Sequence, residues 1–332
     1  MKRIRQMITV MAAAVVLLSP FVFRCLDERL VLTGVEDSAA FPVVTPGSLF
    51  SGQAQTELET YLQQHLPGKP FMVRLRNEIT FSLLHTVSNI NYSMSRDRDL
   101  FSWENVSWYL QYFAPISQEG ADELLMKLMR LRDMLEANGK QLYLFITPCK
   151  IRYREDALPW VDQAMAPERG AGNYEQLIRI LTDSDLNWFD SIAYIEEHQG
   201  EFDSRVPLYY RTGLHWSAYV GNTVGAAFGA YLEEKSGFNL PDVTVTARPC
   251  ETPVYPDADS FGVFNVLREP YDDYYEPVIT VTDPTTDAPG FLCRGGSFMG
   301  QSLAMLIQNH YFGKNVDMEN RQIFTEEFGQ VK

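Results

Sequence analysis

With 43 acidic against 28 basic side chains over 332 residues, the chain carries a formal charge of -15. That balance argues against a nucleic-acid binder, whose affinity depends on clustered Lys and Arg. A composition 45% hydrophobic and 13% aromatic excludes a disordered polymer and supplies a sizeable core, and the length suits one large α/β domain or two small ones.

Lys2, Arg3 and Arg5 precede an apolar run, Met7 to Phe23, interrupted only by Thr9, Ser19 and Pro20. The run is at the short end for a bilayer span. It reads as an uncleaved anchor over 7–23, with residues 1–6 cytoplasmic and the rest outside the membrane. The competing reading is a cleaved secretory signal, although no small-x-small site follows Phe21-Val22-Phe23. Residues 24–53, with Pro42 and Pro46, read as a linker, and 54–332 as the working domain.

Leu58, Tyr61, Leu62 and His65, then Phe71, Leu75, Ile79 and Leu83, recur at three and four. They predict two amphipathic helices separated by Pro67-Gly68-Lys69-Pro70. A helix over Ala121–Asn138 stops at Gly139 and is followed by the apolar run 141–147, ended by Pro148 as a buried strand would be. Helices at Tyr174–Thr182, Ser217–Lys235 and Phe298–His310 alternate with strands at Leu186–Phe189, Val278–Thr282 and Gly290–Cys293. Helix alternating with strand predicts a parallel sheet covered on both faces.

Cys25, Cys149, Cys250 and Cys293 show no C-x-x-C spacing or histidine partners, so no metal site is expected. A Cys250–Cys293 disulfide is permitted outside the cytoplasm but not demanded. No phosphate loop or dinucleotide fingerprint is present, so no cofactor is expected. Asp257, Asp259, Asp272, Asp273 and Glu276 read as a solvated acidic loop surface.

Chemistry gathers in two places. Arg294-Gly295-Gly296-Ser297-Phe298 falls where a strand turns into a helix. The glycines allow a tight turn with positive φ, and Ser297 would be presented at a helix N-terminus whose N–H groups can stabilise an oxyanion. The plainer reading is a turn and a helix cap. His215, in the loop Tyr209–Ser217 just before a helix, is the best placed histidine to serve as base, or else it packs beside Trp216.

In order, these segments resemble the membrane-anchored, extracytoplasmic alginate O-acetyltransferase family of the SGNH-hydrolase superfamily, and its Gram-positive relatives with an Asp-His-His-Trp signature. The resemblance runs through the helical segment Thr56–Asn77, the charged turn Arg96-Asp-Arg-Asp-Leu-Phe101, and a Pro-x-Lys turn at Thr147-Pro148-Cys149-Lys150. It continues through a Thr-Asp-x-His-Trp signature matched at Thr212, His215 and Trp216, and a Gly-Asp-Ser-Phe block matched at Gly295, Ser297 and Phe298. It implies a three-layer, flavodoxin-like SGNH fold, with Ser297 as nucleophile, His215 as base, and Gly295, Gly296, Trp216 and Lys150 supporting the site. Lys150 would face the cleft as a strand-end residue or else lie solvated in a loop.

The implied reaction takes an acetyl group from a multi-spanning membrane-bound acyltransferase to hydroxyls of an exopolysaccharide or cell-wall polysaccharide. An esterase is a close variant. Two positions depart from the pattern: Gly213 replaces the aspartate that orients the histidine, and Gly296 replaces that of the serine block. A backbone carbonyl or another carboxylate, such as Asp190 or Asp259, could take over the first role. Otherwise the chain is a non-catalytic module that binds glycan or scaffolds an export complex, and restoring the acid by Gly213→Asp is expected to raise turnover by about tenfold or more if the site is a weakened enzyme.

Overall fold

A computed structural model of the chain describes residues 2–25, 32–34, 38–87, 89–268, 272–313 and 316–320. The chain divides into two compact units, one of residues 1–89 with 261–269, the other of 90–260 with 270–332.

In the first unit, α1 (Lys2–Cys25) and α2 (Pro46–Phe50) precede α3 (Gln53–His65) and α4 (Lys69–Leu83). Gly68 breaks the last two at φ +82°, a left-handed conformation that costs glycine little. Segment 261–268 lies along α4: Arg74 and Asn77 donate to the Val266 and Phe264 carbonyls, and Glu78 accepts from the Leu267 and Arg268 amides. Among the described residues no helix is long and apolar enough to cross a membrane, and part of the expected anchor, at 16 and 19–23, has side chains outside the described set.

The second unit opens with β1 (Tyr92–Met94) paired antiparallel to β2 (Leu100–Ser102), then α5 (Trp103–Tyr109) and α6 (Gln118–Glu136). β3 (Tyr143–Ile146) leads into α7 (Lys150–Tyr153), α8 (Trp160–Met165) and α9 (Asn173–Thr182). β4 (Asn187–Asp190) then pairs parallel to β3, Phe145 opposite Phe189. After α10 (Ser191–Glu197) and α11 (Ala218–Ser236), β5 (Asp242–Cys250) runs antiparallel to β6 (Tyr274–Asp283). β7 (Phe291–Gly295), α12 (Met299–Gln308) and β8 (Val316–Asn320) complete the chain, β7 and β8 parallel.

The expected helices and the β3, β4 and β7 strands are present within a few residues. The described strands pair two by two rather than in one parallel sheet, and Val278–Thr282 belongs to an antiparallel ribbon whose other strand, β5, was not foreseen. The Asp-Val-Thr-Val-Thr-Ala-Arg run of β5 alternates exposed and half-buried positions, the pattern of a ribbon with one wet face rather than of a buried parallel strand. Cys149, Cys250 and Cys293 are free thiols, so the permitted Cys250–Cys293 bridge is absent.

Two helices set the geometry of the site. Ser217 caps α11 by accepting from the Val220 amide, and Gly237 closes it at φ +75°. On the face of α11 turned to α12, glycines stand at 221, 225 and 229. A Cβ at Gly221 would meet the Gln301 Cβ at 2.8 Å, and one at Gly225 the Ser302 backbone at 2.9 Å, while Gly229 abuts the Tyr311 ring. Contacts advance along both helices together, so they run parallel with their N-termini at one end. Ser302 Oγ donates to the Gly221 carbonyl at 2.7 Å, which fixes the register. Phe228, Leu232, Leu303, Met305 and Leu306 form the core beneath, each large buried side chain contributing about 1.5–3 kcal/mol.

Candidate active site

Because α11 and α12 start side by side, the residues just ahead of them meet. His215 stands two residues before the α11 cap, and Ser297 two residues before the start of α12. His215 Nε2 lies 2.7 Å from Ser297 Oγ. The serine does not cap its helix, since α12 has no side-chain cap bond; the hydroxyl is turned to the imidazole instead. Neither Gly295 nor Gly296 has a positive φ, contrary to the expected turn. A Cβ at Gly296 would meet nothing within 4 Å, so the aspartate missing from this block leaves open space beside the serine.

The other imidazole nitrogen, Nδ1, lies 2.5 Å from Asp259 Oδ2. A carboxylate only accepts, so Nδ1 carries the proton and Nε2 is left to accept from the serine hydroxyl. Asp259 is itself fixed: Oδ1 accepts from the Leu214 amide at 3.0 Å and from Ser260 Oγ at 3.3 Å. The other sequence candidate, Asp190, is spent elsewhere, capping α10 through the Ile192 and Ala193 amides and accepting from the Tyr174 hydroxyl. The ring of Phe298 lies 4.5 Å from the imidazole, and fully buried Trp216 packs edge-on against Phe298 and Phe145.

Gly213 takes on a different meaning in this setting. A Cβ there would stand 2.8 Å from the Asp257 carbonyl oxygen and 3.2 Å from that of Pro256. Only a residue without a side chain lets the 256–259 segment come close enough to deliver Asp259. Contrary to the expected gain, an aspartate at 213 would push away the acid already in place.

The acidic residues are only in part a solvated surface: Asp273 is exposed as expected, whereas Asp257 and Asp259 are turned inward. Asp257 is fully buried, with Oδ1 accepting from the Ala218 amide at 2.7 Å and Oδ2 without a hydrogen-bond partner. Burial, reinforced by Asp259, pushes its carboxyl up to about 7. Asp272 accepts from Arg211, and Glu276 from Arg248.

Lys150 neither faces the cleft nor lies in solvent. It is 2% exposed, and its Nζ donates to the carbonyls of Tyr210, Arg211 and Gly213 at 2.8, 2.9 and 3.1 Å. Asp99 Oδ1 lies 3.5 Å away and its Oδ2 accepts from Arg154 at 2.8 Å, so the charged turn 96–101 is docked under the histidine loop. Burial pulls the ammonium down to about 8, against the pull of Asp99. This inward role is not legible in the sequence, where the only signal is a lysine one turn past an apolar, half-buried strand. Among the described residues no cluster suited to a metal ion occurs.

A serine at the turn into a helix, a histidine on its hydroxyl and a carboxylate on the histidine form a Ser-His-Asp relay on an α/β scaffold, an arrangement suited to acyl transfer. Residues 97–270 match the family model described as the SGNH hydrolase-like domain of the acetyltransferase AlgX. The chain belongs to that family. The matched span holds Lys150, His215 and Asp259, and ends before Ser297.

No curated protein matches the chain in sequence. Among solved structures it is similar to the O-acetyltransferase domain of Pseudomonas putida AlgJ, at 23% identity over 69% of this chain and 79% of that one, with a TM-score of 0.44. It is similar to Pseudomonas aeruginosa AlgX at 14% identity over 69% and 53%, TM-score 0.38. Bacillus cereus PatB1 follows at 11% over 57% and 58%, TM-score 0.35.

Proposed function

We propose that the protein is an O-acetyltransferase that works through an acetyl-Ser297 intermediate. The observation that carries this reading is the unbroken relay Ser297 Oγ, His215 Nε2, His215 Nδ1, Asp259 Oδ2, with contacts of 2.7 and 2.5 Å. Ser297 Oγ attacks the acetyl carbonyl of an activated ester or thioester donor as Nε2 takes the hydroxyl proton. The oxyanion formed lies at the turn into α12, beside the Ser297 and Phe298 amides, since those of Met299 and Gly300 already donate to the Gly296 and Ser297 carbonyls. Collapse expels the donor's oxygen or sulfur, which takes the proton back from Nε2. A sugar hydroxyl then attacks the ester, giving its proton to Nε2 and leaving the acetyl on the sugar and the hydroxyl on Ser297. Asp259 holds the ring in the required tautomer and stabilises the imidazolium.

The reading extends to an exopolysaccharide or cell-wall polysaccharide as acceptor and a multi-spanning membrane-bound acyltransferase as donor partner, with the domain on the extracytoplasmic side of a single-pass anchor at 7–23. Three basic residues before the apolar run support that orientation, and the exposed Met7, Ile8, Val10, Met11, Val15, Leu17 and Leu18 give α1 an apolar surface for the membrane. The non-catalytic module loses its main motive once Asp259 occupies the place left by the glycine at 213.

The test is acetylation by an activated acetyl ester, followed by intact-mass spectrometry. The wild-type protein is expected to gain one acetyl group and Ser297→Ala none. An equal adduct on the alanine variant would mean the serine is not the acceptor. Cytoplasmic activity of a reporter fused after residue 332 would refute the topology.

A further inference from the structure

We infer that Lys150 is the positioning residue for His215: its buried ammonium gathers the 210–213 loop and so holds the imidazole between Ser297 and Asp259. The loop has no strand or helix of its own between Val206 and the α11 cap, so something else must fix its backbone. Three of its carbonyls converge on one Nζ, which uses all three ammonium protons. The Arg211 carbonyl also accepts from the Leu100 amide at 2.8 Å, bringing the 96–101 turn against the loop from below.

Gly213 is thus held on two sides, its carbonyl by Lys150 and its Cα by the Pro256–Asp257 backbone. His215 follows two residues later. Charged groups face the ammonium from three places: Asp99 from the β1–β2 turn, Arg154 from the cap just after α7, and Asp259 from the β5–β6 connection. The Phe101 ring lies 5.3 Å from Nζ. Deprotonation would leave two donors for three carbonyls and remove the charge that balances Asp99, loosening the loop. An arginine at the same place keeps its charge at every accessible pH.

The inference rests on the relay proposed above, so the test uses two readouts. One is the rate of Ser297 acetylation by 4-nitrophenyl acetate. The other is the downfield proton resonance of the His215–Asp259 hydrogen bond in the resting protein, which needs no acyl chemistry. Lys150→Met, melting cooperatively, is expected to lose or shift that resonance and to slow acetylation at least tenfold through kcat with KM little changed. In the wild type the acetylation rate is expected to fall above about pH 8; in Lys150→Arg, which restores part of the rate, this alkaline limb is expected to vanish.

A folded Lys150→Met with resonance and rate unchanged overturns the inference. If that variant does not fold, an alkaline limb persisting unaltered in Lys150→Arg overturns it instead. Acetylation that does not depend on Ser297 defeats the proposed function alone, and the resonance still decides the role of Lys150.

Discussion

Serine and acid reach His215 by opposite routes. Ser297 arrives on regular structure, at the end of β7 and the start of α12, with its place dictated by glycine-lined packing of α12 on α11. Asp259 arrives on an irregular connection between β5 and β6, 44 residues beyond the histidine it serves, and its place depends on one bare backbone position at Gly213. The first arrangement is robust because many contacts share it. The second is exposed to single changes, because delivery of the acid depends on a loop fitting against another loop.

The sharpest way to break that comparison is at the acid itself. Asp259→Asn is expected to lower acetylation by up to about 10⁴-fold, the loss seen when the equivalent group of a serine protease is neutralised, while Asp190→Asn leaves the rate within a factor of a few. Stopped-flow release of nitrophenol measures both. Equal losses from the two would mean that the 2.5 Å contact does not orient the ring.

Next comes Gly213→Asp. Its Cβ would fall 2.8 Å from the Asp257 carbonyl, and the neighbour is backbone that cannot swing aside. The 256–259 segment must retreat, so acetylation is expected to fall on the order of 10²-fold. A gain would show that a carboxylate two residues before the histidine can replace the distant one. On the serine side, Gly225→Val would set a side chain against the Ser302 backbone at 2.9 Å. Overpacking of that kind costs about 1–3 kcal/mol, read as a lower denaturation midpoint.

These differences follow what was legible in the sequence. Periodicity and caps gave α6, α11 and α12 to within a few residues, because Ser217, Gly139 and Gly237 act locally on the backbone next to them. Ser297 and His215 were findable for the same reason, each standing immediately ahead of a helix. Asp259 could be named only as one of two carboxylates, since nothing in a chain records which acid a long connection folds back to a histidine. β5 was missed because its half-exposed alternation sits in a stretch without an apolar run. Lys150 was misplaced because a lysine beside a proline turn looks the same on paper whether its ammonium meets water or three carbonyls.

The smallest effect concerns Asp257, which holds the same connection from inside. Its carboxyl is raised from 3.8 to about 7 by burial, so between those values the folded chain keeps a proton that the unfolded chain has lost. Stability therefore falls as pH rises from about 4 to about 7, with the full penalty present above. A three-unit shift corresponds to about 4 kcal/mol, but Asp257→Asn would recover only part of it. The amide retains an oxygen for the Ala218 amide yet buries two N–H donors beside an oxygen site that has no partner now. We therefore expect Asp257→Asn to raise stability by on the order of 1–2 kcal/mol at about pH 8 and to change it little or lower it at about pH 4. Chemical denaturation at the two pH values measures this. A variant whose stability curve keeps the wild-type slope between them would show that Asp257 binds protons alike in the folded and unfolded chain over that range, and so is not raised by burial.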